Sequence, residues 1–99
     1  MAGPVYKMFR ARWKEAWFAL SKEEQDALTA KVIDALKQAG GKSLVFCDSR
    51  WSSEQWWGFG VEEFPDIEAV QQHIKLLEEL NWMRYVEAET LLGTALQNE

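Results

Sequence analysis

The sequence of 99 residues predicts one α+β domain, in which a four-stranded antiparallel sheet carries two helices on one face. Four short stretches with alternating apolar residues, at about 5–12, 43–50, 55–64 and 82–93, predict strands. Two longer stretches with apolar residues at helical spacing, 21–39 and 66–80, lie between the first and second and between the third and fourth strands. This β-α-β-β-α-β order is typical of a ferredoxin-like sandwich, and right-handed crossovers place both helices on the same face.

The N-terminal third supplies the first strand and the first helix. Residues 13–20 read as irregular but strongly apolar, which is consistent with a loop packed on its own core or with a lid that meets a partner. The segment Ser21-Lys22-Glu23-Glu24 is a capping box that starts the helix. Gly40-Gly41 ends it with residues that tolerate positive φ.

The second half is organised around residues 55–66. Alternation predicts Trp57, Phe59 and Val61 on one face of the third strand, and Trp56, Gly58, Gly60, Glu62 and Phe64 on the other. The two glycines predict either close packing or empty space above them. Pro65 ends the strand, and Asp66 caps a second helix that buries Ile67, Val70, Ile74 and Leu77. Asn81 is a candidate C-terminal cap, and residues 94–99 are expected to fray.

Composition limits the classes of function. A net charge of −5 disfavours nucleic acid and anionic membranes as partners, because phosphate contacts need clustered Lys and Arg. The single Cys47 cannot form an internal disulfide, and no apolar run is long enough to span a membrane or to act as a secretion signal. We therefore expect one cytoplasmic domain over residues 1–99.

Large apolar groups occur on both faces of the predicted strands. The face without helices would then expose several of them, which is unusual for a monomer. A second copy packed sheet on sheet is the simplest cover, and a homodimer is therefore predicted.

The run Glu62-Glu63-Phe64-Pro65-Asp66, continued to Ile74, resembles the strand-to-helix segment of the dimeric α+β barrel superfamily. That group includes the antibiotic-biosynthesis monooxygenase-like and stress-responsive barrel families, which show an acidic residue, a spacer and an aromatic, then a histidine nine residues later. Residues 13–24 and 81–85 resemble small uncharacterised bacterial proteins of the same superfamily. This sequence has Phe64 where the oxygenases usually have Trp, and Gly60 near a position where some have an amide. The resemblance implies a barrel-forming homodimer without metal or organic cofactor.

His73 and Glu62 are the candidate catalytic residues. His73, the one histidine, lies in the apolar arc of its helix, so it is either a packed core residue or a proton-transfer group above the glycines. Glu62 shares the glycine face, where burial would raise its pKa and suit it as a base; a solvated strand end is the alternative. One histidine without a neighbouring cysteine predicts no metal site.

The candidate ligand-binding residues are Trp56, Gly58, Gly60, Phe64, Tyr6 and Arg10. Trp56 would form the wall of a cavity between sheet and helices, or belong to the core. Arg10 would hold an anionic group of a ligand, or pair with Glu87 or Glu89 across the sheet.

These residues predict binding of a small, flat, apolar or aromatic molecule. Oxidation, isomerisation or cyclisation without a cofactor is the chemistry that the resemblance implies. A non-catalytic binding protein and a structural dimer are the alternatives. Residues 58–64 also partly echo an RNA-recognition motif, but Trp57 replaces its basic residue and Glu62 an expected aliphatic one.

Overall fold

A computed structural model describes residues 3–96 and contains a single four-stranded antiparallel sheet in the order β2-β3-β1-β4. Short loops and turns connect its elements, which are β1 (Val5–Trp13), α1 (Glu15–Phe18), α2 (Lys22–Gln38), β2 (Lys42–Asp48), β3 (Gly58–Phe64), α3 (Ile67–Glu79), a 3₁₀ helix (Trp82–Arg84) and β4 (Val86–Thr94). The predicted ferredoxin-like α+β fold is confirmed. None of the helices within residues 3–96 is both long and apolar enough to cross a bilayer.

The two main helices begin where their capping residues predict. The Ser21 hydroxyl accepts a hydrogen bond from the Glu24 amide at 3.1 Å, and the Glu24 carboxylate accepts one from the Ser21 amide at 2.8 Å. At the start of α3, the Asp66 carboxylate accepts from the Ala69 amide at 2.8 Å. Gly40 and Asn81 follow the two helices with positive φ of 82° and 58°, as their residue types indicate.

Helix α3 is rotated relative to the predicted stripe. Its buried residues are Ala69, Val70, His73 and Leu77, whereas Ile67 and Ile74 are each 43% exposed. Two residues seven apart lie on the same side of a helix, so a small rotation brings both to the flank of the packed face. The predicted burial of Ile67 and Ile74 was wrong, and the rotation places His73 in the core.

Strand β3 starts at Gly58, later than the alternation predicts. The Ser53 hydroxyl accepts hydrogen bonds from the Gln55 and Trp56 amides, at 3.2 and 3.0 Å, so the chain before Gly58 is a turn. Trp56 therefore departs from the strand alternation, which corrects the prediction that it shares a face with Gly58 and Gly60. It lies over Arg10 and Arg12, while Trp57 stacks on Trp13.

Strand β4 also starts later than predicted, at Val86. Residues 82–84 form a 3₁₀ helix instead, because Asn81 turns the chain and the Tyr85 amide donates to the Trp82 carbonyl at 2.9 Å. At the other end, β4 extends through Thr94, a residue predicted to fray. Residues 97–99 of the predicted tail lie outside the described part of the chain.

The apolar segment after β1 is packed onto the domain and contains the short helix α1 rather than an irregular loop. The Trp17 and Trp13 rings lie parallel with centroids 3.8 Å apart, and Trp57 stacks on Trp13 at 4.8 Å. The edge of Trp82 meets both Trp13 and Trp17. Of the two interpretations of this segment, packing on its own core is the one that the structure shows.

The sheet has a covered face and an open face. Val5, Lys7, Phe9 and Ala11 of β1 point to the helices, together with the β3 residues that pair with them, which are Phe64, Glu62, Gly60 and Gly58. The alternate residues Tyr6, Met8, Arg10 and Arg12 lie on the open face. Phe64 and Val70 are 0% and 1% exposed and lie at the centre of the core, between the covered face and the helices.

Candidate functional site

Three ionisable side chains, Lys7, Glu62 and His73, are buried in the layer between the covered face and α3. Lys7 Nζ lies 4.0 Å from Glu62 Oε1, and these side chains are 9% and 15% exposed. His73 lies on α3 in the same layer and is 3% exposed. Glu62 Oε1 and His73 Nδ1 are buried without a hydrogen-bond partner among the described residues.

Burial decides the protonation of this cluster. It lowers the pKa of His73 to about 4, with a smaller contribution from the Lys7 charge, so the imidazole is neutral at pH 7. Burial also raises the pKa of Glu62 and lowers that of Lys7, and the attraction between the two opposes both shifts. A buried carboxyl with a raised pKa and a neutral imidazole are both groups that are able to exchange protons.

The space above the two glycines of β3 is filled by aromatic rings. A Cβ atom on Gly60 would lie 3.0 Å from Phe9 Cζ, 3.1 Å from Phe46 Cδ1 and 2.9 Å from the Val45 carbonyl oxygen. A Cβ on Gly58 would lie 2.8 Å from the Cys47 carbonyl oxygen. The predicted cavity over these glycines was therefore wrong, and their role is to accommodate close neighbours.

His73 is also closed off from solvent. Its ring packs on that of Phe64, with centroids 5.3 Å apart, and Phe64 itself is fully buried. Because the His73 side chain is only 3% exposed, it has no free space beside its ring for a bound ligand in this conformation.

A groove of about 560 Å³ lies on the open face, beside the loop between β2 and β3. Its lining combines apolar side chains with one ion pair and two serines: Met8, Phe9, Arg10, Ser49, Ser53, Trp56, Gly58, Phe59, Glu89, Thr90 and Leu91. Within residues 3–96 no group of three or more His, Cys, Asp and Glu is placed to hold a metal ion.

Trp56 and two arginines form one wall of the groove. The Trp56 ring lies 4.5 Å from the Arg10 guanidinium carbon and 5.0 Å from that of Arg12. Arg10 pairs with Glu89 through Nε at 2.8 Å and through a second contact to the same oxygen, and Arg12 pairs with Glu87 at 3.0 Å. The cross-strand pairing that the sequence offered as one role of Arg10 is therefore present.

The predicted site residues separate onto two faces. Trp56 and Arg10 line the groove, and Tyr6 lies on the open face away from it. Gly58 also lines the groove, although it alternates with the residues of the covered face. His73, Glu62, Gly60 and Phe64 belong to the covered side. The structure does not bring the predicted catalytic pair and the predicted ligand wall together.

Sequence reasoning missed Lys7 and the groove residues Met8, Phe59 and Leu91. The position of Lys7 had a signal, because it alternates with Val5, Phe9 and Ala11 on the apolar side of β1. The groove residues had none, since their convergence depends on the strand order and on the turn at Ser53.

Comparison with known proteins finds similarity in structure alone. No protein-family profile and no curated protein sequence matches the chain. A W146Y R173Q mutant of chlorite dismutase from Candidatus Nitrospira defluvii superposes with a TM-score of 0.77 at 18% identity, over 100% of this chain and 43% of the other. The same enzyme in complex with imidazole gives a TM-score of 0.78 at 14% identity, over 99% and 42%. TA0507, provisionally named a chlorite dismutase, gives 0.75 at 17%, over 98% and 47%.

The chain spans less than half the length of these solved structures. At such low identity the likeness concerns the fold and not the activity. The resemblance to antibiotic-biosynthesis monooxygenases is not confirmed at the level of the family. What the chain shares with its structural neighbours is the ferredoxin-like α+β fold.

Proposed function

We propose that this protein binds a small, flat, largely apolar molecule in the groove on the open face of its sheet. The groove itself is the observation that carries the proposal. Its volume of about 560 Å³ lies within the range of small-molecule sites, roughly 300–1,000 Å³. Met8, Phe59 and Leu91 provide apolar contact area, and Trp56 provides a rigid aromatic wall.

The polar groups of the groove would orient the ligand. The Arg10 and Glu89 pair offers donors and acceptors side by side, and Ser49 and Ser53 add polar groups near Trp56. A planar aromatic molecule with one polar or anionic substituent matches this arrangement, because the ring would contact the apolar wall while its substituent contacts Arg10.

A homodimer through the open face is part of the same proposal. Four apolar side chains form a row across all four strands, from Val45 to Val61 to Met8 to Leu91. Leu91, Met8 and Val45 are 65%, 49% and 46% exposed. A second copy would bury this row, and each buried Å² of apolar surface stabilises by about 25 cal/mol before association costs.

Calorimetric titration with 2-naphthoate, a planar aromatic anion, tests the binding site. Trp56→Ala is expected to weaken binding about fivefold or more, since one aromatic contact is worth roughly 1 kcal/mol. Trp51→Ala is the matched control, because Trp51 belongs to the same loop but is 84% exposed and outside the groove. Equal affinities for the two variants would place the site elsewhere.

Proton transfer by His73 and Glu62 is a second candidate function. It is supported by the two unpartnered buried atoms and by the raised pKa of Glu62. A substrate would reach them only if α3 moved away from the sheet, since Phe64 and Phe9 close the present structure. Chemistry without a cofactor would then be oxidation of a phenolic substrate by dioxygen, with these two groups taking its proton.

The oxidation of 1,4-dihydroxynaphthalene by dioxygen to the quinone and hydrogen peroxide offers an assay. His73→Ala should reduce a catalysed rate to less than about a tenth of the parent rate if the imidazole takes part. A parent rate equal to that of the uncatalysed reaction would show that the protein does not catalyse this oxidation. A variant as fast as the parent would show that the His73 imidazole takes no part in it.

A further inference from the structure

The proposed binding groove lacks one wall. Small-molecule sites generally bury about 70–90% of their ligand, yet the apolar lining of this groove is largely exposed, with Phe59 at 44%, Met8 at 49% and Leu91 at 65%. A flat molecule lying on these side chains would keep its outer side in water. The groove as it stands in one chain is half of an enclosed site.

The incomplete groove and the apolar row share residues. Met8 and Leu91 line the groove and also form half of the row across the sheet, beside Val61 and Val45. Any molecule that covers the apolar row therefore also covers the groove.

The open face is electrically neutral although the chain is acidic. Its charged side chains pair across strands: Arg10 with Glu89, Arg12 with Glu87, and Lys42 with Glu63 at 3.8 Å. Three cations and three anions sum to zero, so the net charge of −5 belongs to the rest of the chain. A strongly charged partner finds no complement on this face, whereas a second copy meets it without net repulsion.

The face is also large enough for such a contact. Strands of seven to nine residues in a four-stranded sheet cover roughly 25 by 19 Å, or about 500 Å² per copy in flat projection. Two copies would bury about 1,000 Å², which is near the lower limit for a specific protein interface.

We propose that a second copy of this chain supplies the missing wall, so that ligand binding and dimer formation are linked. This inference rests on the proposed binding function. A ligand enclosed between two copies binds the dimer more tightly than the monomer. By thermodynamic reciprocity, it also tightens the dimer by the same factor. The protein would then respond to its ligand by assembling.

A substitution outside the groove separates assembly from ligand contact. Val45 lies in the apolar row on the edge strand β2 and does not line the groove. Val45→Arg would place a charge in the interface of each copy, and the variant should sediment as a monomer. Ile33→Arg is the matched control, because Ile33 is also a β-branched apolar residue, 56% exposed, but lies on α2.

Titration of the three proteins with 2-naphthoate gives the decisive comparison. Val45→Arg should bind 2-naphthoate at least about tenfold more weakly than the parent. Ile33→Arg should bind it with the parent affinity and should remain a dimer. A monomeric Val45→Arg with the parent affinity would overturn the linkage but leave the binding function standing. A parent that binds no 2-naphthoate would overturn the binding function, and a Val45→Arg protein that stays dimeric would overturn the interface.

The parent protein alone provides a check that needs no substitution. Diluting it from dimer to monomer should weaken its apparent affinity for 2-naphthoate, and adding 2-naphthoate should move the sedimentation midpoint to lower protein concentration. An affinity independent of dilution through that transition would contradict the linkage, even if Val45→Arg failed to fold.

Discussion

Single residues on the covered face show that close packing, and not empty space, explains its two glycines. Gly60 faces Phe9 and Phe46, and Gly58 lies against the Cys47 carbonyl oxygen. The sequence left both possibilities open, because a glycine carries no information about what lies above it. Which possibility holds depends on Phe46, which reaches this position only through the pairing of β2 with β3.

Replacement of Gly60 by Ala should destabilise the fold by roughly 1–3 kcal/mol, since the new methyl group would lie 2.9 Å from a backbone oxygen that cannot move freely. Gly93→Ala is the control, because nothing lies within 4 Å of a Cβ atom there. Urea denaturation of both variants measures the difference. Equal stabilities would mean that the β2 backbone at Val45 and the rings of Phe9 and Phe46 move aside without cost.

The buried imidazole makes stability depend on pH. The pKa of His73 is lowered to about 4 in the folded chain and is near 6.5 in the unfolded chain, so the unfolded state binds more protons between these values. The stabilisation present above pH 6.5 is therefore lost as the pH falls towards 4, by about 3 kcal/mol in all.

His73→Gln removes this titration while Glu62 and Lys7 remain in both proteins. The difference in unfolding free energy between parent and variant should shrink as the pH falls from 7 to 4, measured by urea denaturation at each pH. A difference that stays constant over this range would show that the imidazole is charged or hydrated in the folded state.

At the scale of elements, the sequence predicts best where a local hydrogen bond decides the structure. Ser21 and Asp66 start their helices because each side chain accepts from a backbone amide three residues later. The first residues of β3 and β4 were predicted wrongly because local turns before these strands were not recognised. Ser53 and Asn81 turn the chain before Gly58 and Val86, although the apolar residues in between continue a strand-like pattern.

The stacked tryptophans should hold the short helix α1 in place. Trp17 is 8% exposed and lies 3.8 Å from the Trp13 ring, so Trp17→Ala is expected to cost about 3–5 kcal/mol. Phe18, the next residue in the same helix, is 65% exposed, and Phe18→Ala should change stability by less than about 0.5 kcal/mol. Thermal unfolding of both variants tests the contrast. Similar losses would mean that α1 contributes through its backbone alone.

At the scale of the whole molecule, the Cα atoms span 50 × 31 × 16 Å, the shape of a two-layer slab with helices on one side. The sequence predicts this architecture and the apolar character of the opposite side. It does not predict which candidate residues share a side, because that depends on the register between β1 and β3 and on whether Trp56 belongs to a strand or a turn. The functional groups are consequently divided between a closed interior cluster and an open groove.

The single Cys47 reports on whether the open face is covered. It pairs with Phe59 in the register between β2 and β3 and is half-buried in the isolated chain. If two copies pack through this face, its reaction with a bulky maleimide should slow as protein concentration rises, and Val45→Arg should keep the rate high. A rate independent of concentration in the parent would contradict that packing.

The most direct test of the binding site is an NMR titration of the parent protein with 2-naphthoate. If the ligand occupies the groove, the largest shifts should appear at the Trp56 indole N–H, the Arg10 Nε–H and the amides of Met8 and Leu91. Shifts centred instead on His73 and Glu62, with Trp56 and Arg10 unchanged, would contradict a site on the open face. They would place the ligand between the sheet and α3.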